Sequence, residues 1–248
     1  MTKGASITAR ALRCLAEAPR VNQFNVCDNP GSYVPGGQIS SKHRREYPPL
    51  SLLELQRLID LGWIDVNQPI DISTLCNTFQ YRCDPSQRQF GVQLNDEGAD
   101  IFKARVNIEV QWASELSIAA IERNGGVITS AYYDPVSLSA VVNPLAFFKK
   151  GIPIPKRRCP PTDIMERYLD PKCRGYLASP ESIQEARLEL SQKYGYPLCD
   201  ISPSDSLMNA RKAPTQVFYG LQPGWIVNLK DETVLKPLDD KLLDYYRS

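Results

Sequence analysis

One histidine, His43, stands in a chain of 248 residues. A single imidazole excludes any multi-histidine metal site, and a Ser-His-Asp triad would have to take its base from a residue lodged between Lys42 and Arg44. That is a poor setting for a general base. The seven cysteines, Cys14, Cys27, Cys76, Cys83, Cys159, Cys173 and Cys199, are odd in number and scattered, and no Cys-x-x-Cys pair occurs. Cys76 and Cys83 lie too far apart for half of a zinc knuckle, so the set reads as reduced core or surface thiols. Neither a Gly-x-x-x-x-Gly-Lys-Ser/Thr loop nor a Gly-x-Gly-x-x-Gly turn is present to cradle phosphate. The expectation is a protein without catalysis, metal, cofactor or small-molecule substrate.

Charge carries more information than catalytic residue types. The chain holds 29 Lys and Arg against 28 Asp and Glu, which excludes binding of polyanions by bulk charge. The distribution is uneven. Residues 1–50 hold seven bases and three acids, and residues 51–100 three bases and eight acids. Residues 149–158 hold Lys149, Lys150, Lys156, Arg157 and Arg158 with no acid. Two basic segments therefore flank an acidic to neutral body. No apolar run approaches the roughly 18 residues of a membrane span, so no membrane insertion is expected. The longest candidate, Val136 to Phe148, is broken by Ser137, Ser139, Asn143 and Pro144.

The elements that must position these charges are partly legible. Residues 1–20 carry Lys3, Arg10, Arg13 and Arg20, three hydroxyl residues and one acid, with Ile7, Ala11 and Leu15 four apart. That suits a mitochondrial import segment, and equally an ordinary N-terminal helix. Ser51-Leu-Leu-Glu54 is a capping box, and Leu52, Leu55, Leu58 and Ile59 with Gly62 predict a helix over 51–61. Phe90 to Leu94 reads as a strand, and Val106 to Val110 alternates like a half-buried one. Ser114 to Asn124 reads as a helix with Leu116, Ala120 and Ile121 inward, and Val127 to Tyr133 as a strand, making a βαβ-like unit. Ser179 and Pro180 open a helix ending at Gly195, with Ile183, Ala186, Leu190 and Tyr194 in one stripe. Val217 to Tyr219 and Trp225 to Leu229 suggest a hairpin, and Leu242 to Tyr246 a terminal helix.

Residues 143–161 combine Pro144, Pro153, Pro155, Pro160 and Pro161 with the five clustered bases. Proline removes donors and stiffens an extended path, so the segment reads either as a ribbon that tracks a phosphate backbone or as a solvated linker.

The stretch from Val92 to Gly126 resembles the signature of large-subunit ribosomal protein L-fifteen, with Gly98, Val106, Ala113, Ser114, Ala120, Gly125 and Gly126 at the matching positions. HRREYPPLSLLELQRLIDLG at 43–62, FFKKGIPIPKR at 147–157, RGYLASP at 174–180, EARLELSQKYGY at 185–196 and GLQPGWIVN at 220–228 resemble its animal mitochondrial form. The resemblance implies an irregular α/β fold of short strands and helices, with an extended N-terminal segment (1–42), a globular domain (43–142) and a C-terminal extension (143–248). It implies a structural constituent of the mitochondrial large ribosomal subunit in the matrix, bound to large-subunit rRNA and neighbouring ribosomal proteins. The RNA-binding residues expected are Lys42, His43, Arg44 and Arg45, where the family's RNA-bound arm enters the globular domain, together with Lys149, Lys150, Lys156, Arg157 and Arg158.

One departure from the family is internal. A long Gly-, Lys- and Arg-rich arm is expected between an Asn-Pro-Gly-Ser-like entry and a Gly-Gly-Gln motif. Here Asn29-Pro30-Gly31-Ser32 and Gly36-Gly37-Gln38 are separated by Tyr33-Val34-Pro35 alone. The balanced charge is the trace of that missing arm, and a protein-binding product that stays outside the ribosome is the alternative it raises.

Overall fold

Short parallel strands dominate the first half of the protein, whose computed structural model describes residues 45–247. Strands β1 (Pro49–Ser51), β2 (Gln93–Asn95) and β4 (Trp112–Ala113) form one parallel sheet in the order β1-β2-β4, with Leu50 opposite Leu94 and Leu94 opposite Ala113. Strands β3 (Asn107–Val110) and β5 (Val127–Ser130) form a second parallel pair, with Ile108 opposite Ile128. The backbone extends this pair on both sides, Ile70 bridging Ile108 and Gly175 bridging Ser130. Parallel strands require crossovers, and crossovers cover sheet faces. That is why every residue of β3 is buried, where alternation in the sequence suggests a half-solvated strand.

The helices begin where side-chain oxygens can take up free backbone N–H groups. Ser51, Ser114 and Ser179 cap α1 (Leu52–Asp60), α3 (Glu115–Arg123) and α7 (Pro180–Tyr194), and Gly195 closes α7 in the left-handed conformation. These agree with the sequence reading, and α3 links β3 and β5 as the βαβ-like unit requires. The inward face of α3 is Ile118, Ala119, Ala120 and Ile121, while Leu116 is exposed. Four further helices have weaker sequence signals: α2 (Ile72–Asn77) capped by Asp71, α4 (Pro135–Val142) by Asp134, α5 (Pro144–Lys149) by Asn143, and α6 (Thr162–Leu169). The terminal helix α8 spans Asp240–Arg247.

Two glycines of the signature mark close approaches. A Cβ on Gly126 would lie 2.6 Å from Val106 O, so the chain leaving α3 turns back directly against the start of β3. Gly98 has φ +85°, and a Cβ there would lie 2.7 Å from the Leu53 backbone nitrogen at the start of α1.

Residues on both sides of position 143 share one hydrophobic core: Leu55, Ile108 and Ile121 from the first part cluster with Ile154, Leu190, Val217 and Phe218 from the second. From Glu46 onward the chain is one compact unit. The hairpin expected around Pro223-Gly224 does not form. Instead β6 (Ile226–Asn228) pairs antiparallel with β7 (Thr233–Leu235), because Asn228 Oδ1 accepts the Lys230 N–H at 3.0 Å and Asn228 Nδ2 donates to Asp231 at 2.8 Å, which builds the turn. Val217 and Phe218 go into the core.

Candidate nucleic-acid interface

The basic segment at 149–158 is not one uniform ribbon. Its first part is helical: Lys149 closes α5 and Lys150 caps it, both exposed. Beyond Gly151 the chain is extended, held by Ile154 N–H to Trp225 O at 2.9 Å and Arg157 N–H to Thr215 O at 3.0 Å. Arg158 is exposed, with its backbone N–H donating to Asp134 at 3.3 Å. Lys156 is half-buried at the surface, where its ammonium donates to Tyr245 O at 3.3 Å and lies over the Tyr245 ring. Lys149, Lys150 and Arg158 are therefore the exposed cations of this segment, with Lys156 partly exposed beside Tyr245. Arg45 is half-buried, and Lys42, His43 and Arg44, like the import-like and shortened-arm segments, lie outside the described residues.

Arg157 requires a correction. Read from sequence as an exposed RNA contact, it is 2 % exposed. Its Nε donates to Pro214 O at 2.8 Å and its Nη2 to Ala213 O at 3.1 Å. The guanidinium stacks between Tyr133 and Tyr176, 5.0 and 4.6 Å from their ring centres. Nη1 lies 3.9 Å from Glu109. With its fork committed inside the protein, Arg157 cannot reach a phosphate.

Arg157 belongs to a buried charge cluster that the sequence does not reveal. Lys212, fully enclosed, donates to Asp71 at 2.8 Å and to the Tyr133 hydroxyl at 2.9 Å, with Glu109 3.6 Å away. The Tyr133 hydroxyl in turn donates to Glu109. Burial pulls the Lys212 ammonium toward neutrality, but Glu109, Tyr133 and Asp71 outweigh it and hold its pKa well above the ordinary lysine value. Burial also pushes the Asp71 carboxyl up, and Lys212 and Thr74 more than reverse this, leaving it below the usual range. Burial and Glu109 push the Tyr133 hydroxyl up, so it stays a donor. Two carboxylates and two cations make the cluster electrically balanced. Burial likewise raises the Cys76 thiol to about 11 and Cys83 to about 12, which keeps both protonated.

A second group missed from sequence lies between α2 and β2. Phe79 is 75 % exposed with φ +60°, on a loop pinned by buried Thr78, Tyr81 and Cys83. The exposed Arg82 and Arg88 sit on the same loop. An exposed aromatic ring of this kind can stack on an unpaired base. The signal available in the sequence is an aromatic residue in a polar stretch with two bases nearby. Among the described residues no group of three metal-ligating side chains forms, and no helix is long and apolar enough to cross a membrane.

Comparison with known proteins gives the class first. A family model described as the ribosomal proteins 50S-L15 and 50S-L18e, with their 60S counterpart, matches residues 49–129, the span from β1 to β5 that contains both parallel sheets. Relatives extend the likeness. Large ribosomal subunit protein uL15m of Danio rerio is 53% identical over 219 residues, covering 87% of this chain and 74% of that protein. The uL15m of Schizosaccharomyces pombe is 31% identical over 149 residues, covering 59% of this chain and 55% of that protein. The uL15 of Acidiphilium cryptum is 35% identical over 97 residues, covering 39% and 57%. The chain belongs to the uL15 family of large-subunit ribosomal proteins.

Proposed function

We propose that this chain is a structural constituent of the mitochondrial large ribosomal subunit, binding large-subunit rRNA and neighbouring ribosomal proteins. The observation that carries this is the 53% identity to a uL15m protein across 87% of the chain, which includes the segment after position 143 as well as the family signature. The exposed cations Lys149, Lys150 and Arg158 supply contacts to phosphate, each releasing counterions, and Arg45 with Lys42, His43 and Arg44 supplies a second group at the entry to the globular part. The helix end at Lys150 and the extended segment after Gly151, anchored through Ile154 and Arg157, hold the first group on a fixed frame, so little entropy is lost on docking.

The test is sedimentation of the tagged chain with mitochondrial large subunits. The wild type co-sediments, and Lys149→Glu, Lys150→Glu and Arg158→Glu together reduce incorporation at least fivefold. The melting temperature changes by no more than about 4 °C, because exposed charges contribute little to folding. A wild-type chain that stays in the soluble fraction refutes the ribosomal assignment, and equal incorporation of the triple variant removes these cations from the interface.

A further inference from the structure

A cavity of 440 Å³ opens where α7 and the segment 198–211 meet β5. Three guanidinium groups line it, those of Arg174, Arg187 and Arg211, against two carboxylates, Glu122 and Asp200. Glu122 is already saturated. Arg174 binds it in fork fashion at 2.7 and 3.0 Å, the Tyr196 hydroxyl donates to it at 3.2 Å, and Arg187 Nε lies 3.5 Å away. The neighbouring cations are left short of anions. Arg187 Nη2 is buried without a hydrogen-bond partner, and Arg211 makes no ion pair among the described residues, with Asp200 included. Partial burial of the side chain and the charge of Arg187 together lower the Arg211 pKa.

Beside these charges the wall is mixed, with Ile128, Ile183, Leu188, Leu198, Ile201 and Met208 forming an aliphatic side and Gln184, Cys199 and Asn209 adding polar atoms. Among the described residues no aromatic ring lines the cavity, so they offer a nucleobase nothing to stack on. A bare backbone phosphate would satisfy the arginines and leave the aliphatic wall wet. An occupant that satisfies both halves carries a carboxylate next to branched apolar side chains, because the guanidinium fork matches a carboxylate bidentately.

We infer that this cavity is a docking site for an acidic, aliphatic segment of a neighbouring protein, whose Asp or Glu carboxylate is held between Arg187 and Arg211 while its Leu, Ile or Val side chains cover Leu188, Leu198 and Ile201. The inference rests on the ribosomal reading above and names one protein contact within it. Docking supplies an anion for Arg211 and for the Nη2 of Arg187, and desolvation strengthens that pairing relative to an exposed one.

The experiment uses full-length tagged chain carrying p-benzoylphenylalanine in place of Gln184, an exposed residue on the cavity rim. Sedimentation is read first, then photo-crosslinks within the sedimented large subunits are identified by mass spectrometry. The expected product is a peptide of another ribosomal protein containing Asp or Glu flanked by aliphatic residues, and its yield falls at least fivefold when Arg211→Glu is added. Arg211 has an exposed side and makes no ion pair among the described residues, so that variant keeps its melting temperature, and crosslink yield is taken per sedimented chain so that weaker incorporation is not counted as a lost contact. A chain that does not sediment overturns the ribosomal reading and this inference with it. A chain that sediments and crosslinks to RNA, to a peptide without acid, to nothing, or equally well with Arg211→Glu overturns this inference alone.

Discussion

Replacing Lys212 by Met is the most informative perturbation of the fold. The methylene chain is kept and the ammonium removed, which leaves Asp71 and Glu109 enclosed with Arg157 alone to balance them. Asp71 loses its 2.8 Å partner, and the Tyr133 hydroxyl loses a donor at 2.9 Å. Breaking a buried pair by removing one member costs about 3–5 kcal/mol, because the remaining charge stays desolvated. Against a total stability of about 5–15 kcal/mol this is a large fraction. With a urea slope of about 2 kcal/mol/M, the midpoint falls by about 1.5–2.5 M, read by tryptophan fluorescence. Adding Asp71→Asn restores balance, since Glu109 and Arg157 then remain as one pair and the amide still caps α2. The double variant is therefore more stable than Lys212→Met by at least about 1 kcal/mol. The pH dependence comes from the directions of the shifts. The raised Lys212 pKa means its contribution is fully present below the unfolded lysine value of about 10.4 and is lost only at higher pH. The lowered Asp71 pKa means its contribution is present above about 3.9 and is lost as pH falls through the folded value. The difference between wild type and Lys212→Met therefore shrinks as pH falls, because without Lys212 burial is left to raise the Asp71 carboxyl and protonation removes the stranded charge. A loss below about 1 kcal/mol at pH 7, or a double variant no better than the single, refutes the claim that the cluster is a mutually dependent unit.

Two further outcomes separate buried from exposed features. Arg157→Glu sets a second carboxylate beside Glu109 and strands Ala213 O and Pro214 O, costing more than about 4 kcal/mol, whereas Arg158→Glu stays within about 0.5 kcal/mol; equal urea midpoints for the two would return Arg157 to the surface. Gly175→Ala costs more than about 2 kcal/mol, because the new methyl would overlap Tyr168 O and the backbone bridge to Ser130 would have to move; an unchanged melting temperature refutes the packing described there.

Local chemistry makes some elements legible. Ser51, Ser114 and Ser179 announce helices because a cap needs one side chain and the backbone beside it. Asp71 and Asp134 do the same work, but an aspartate is equally at home in a turn with no helix after it. Arg157 is hidden for a different reason. Its nearest charged neighbours in sequence are cations, while the groups that hold it, Glu109, Tyr133, Ala213 and Pro214, are roughly 20 to 60 positions away and carry no periodic pattern. The expected hairpin loses to a competing turn: Pro223-Gly224 is a strong local signal, yet the Asn228 turn makes the hydrogen bonds.

The ion pair between Asp71 and Lys212 spans 141 positions of chain. At synthesis rates of roughly 5–20 residues per second, the acid emerges roughly 7–28 s before its counter-charge exists. During that interval Asp71 and Glu109 stay solvated, because sealing them into a core without Lys212 would leave their charge uncompensated. Closure of this protein is accordingly a late event that waits for its last third, and a nascent or partly imported chain ending before Lys212 is a natural client for whatever factors hold unfinished polypeptides.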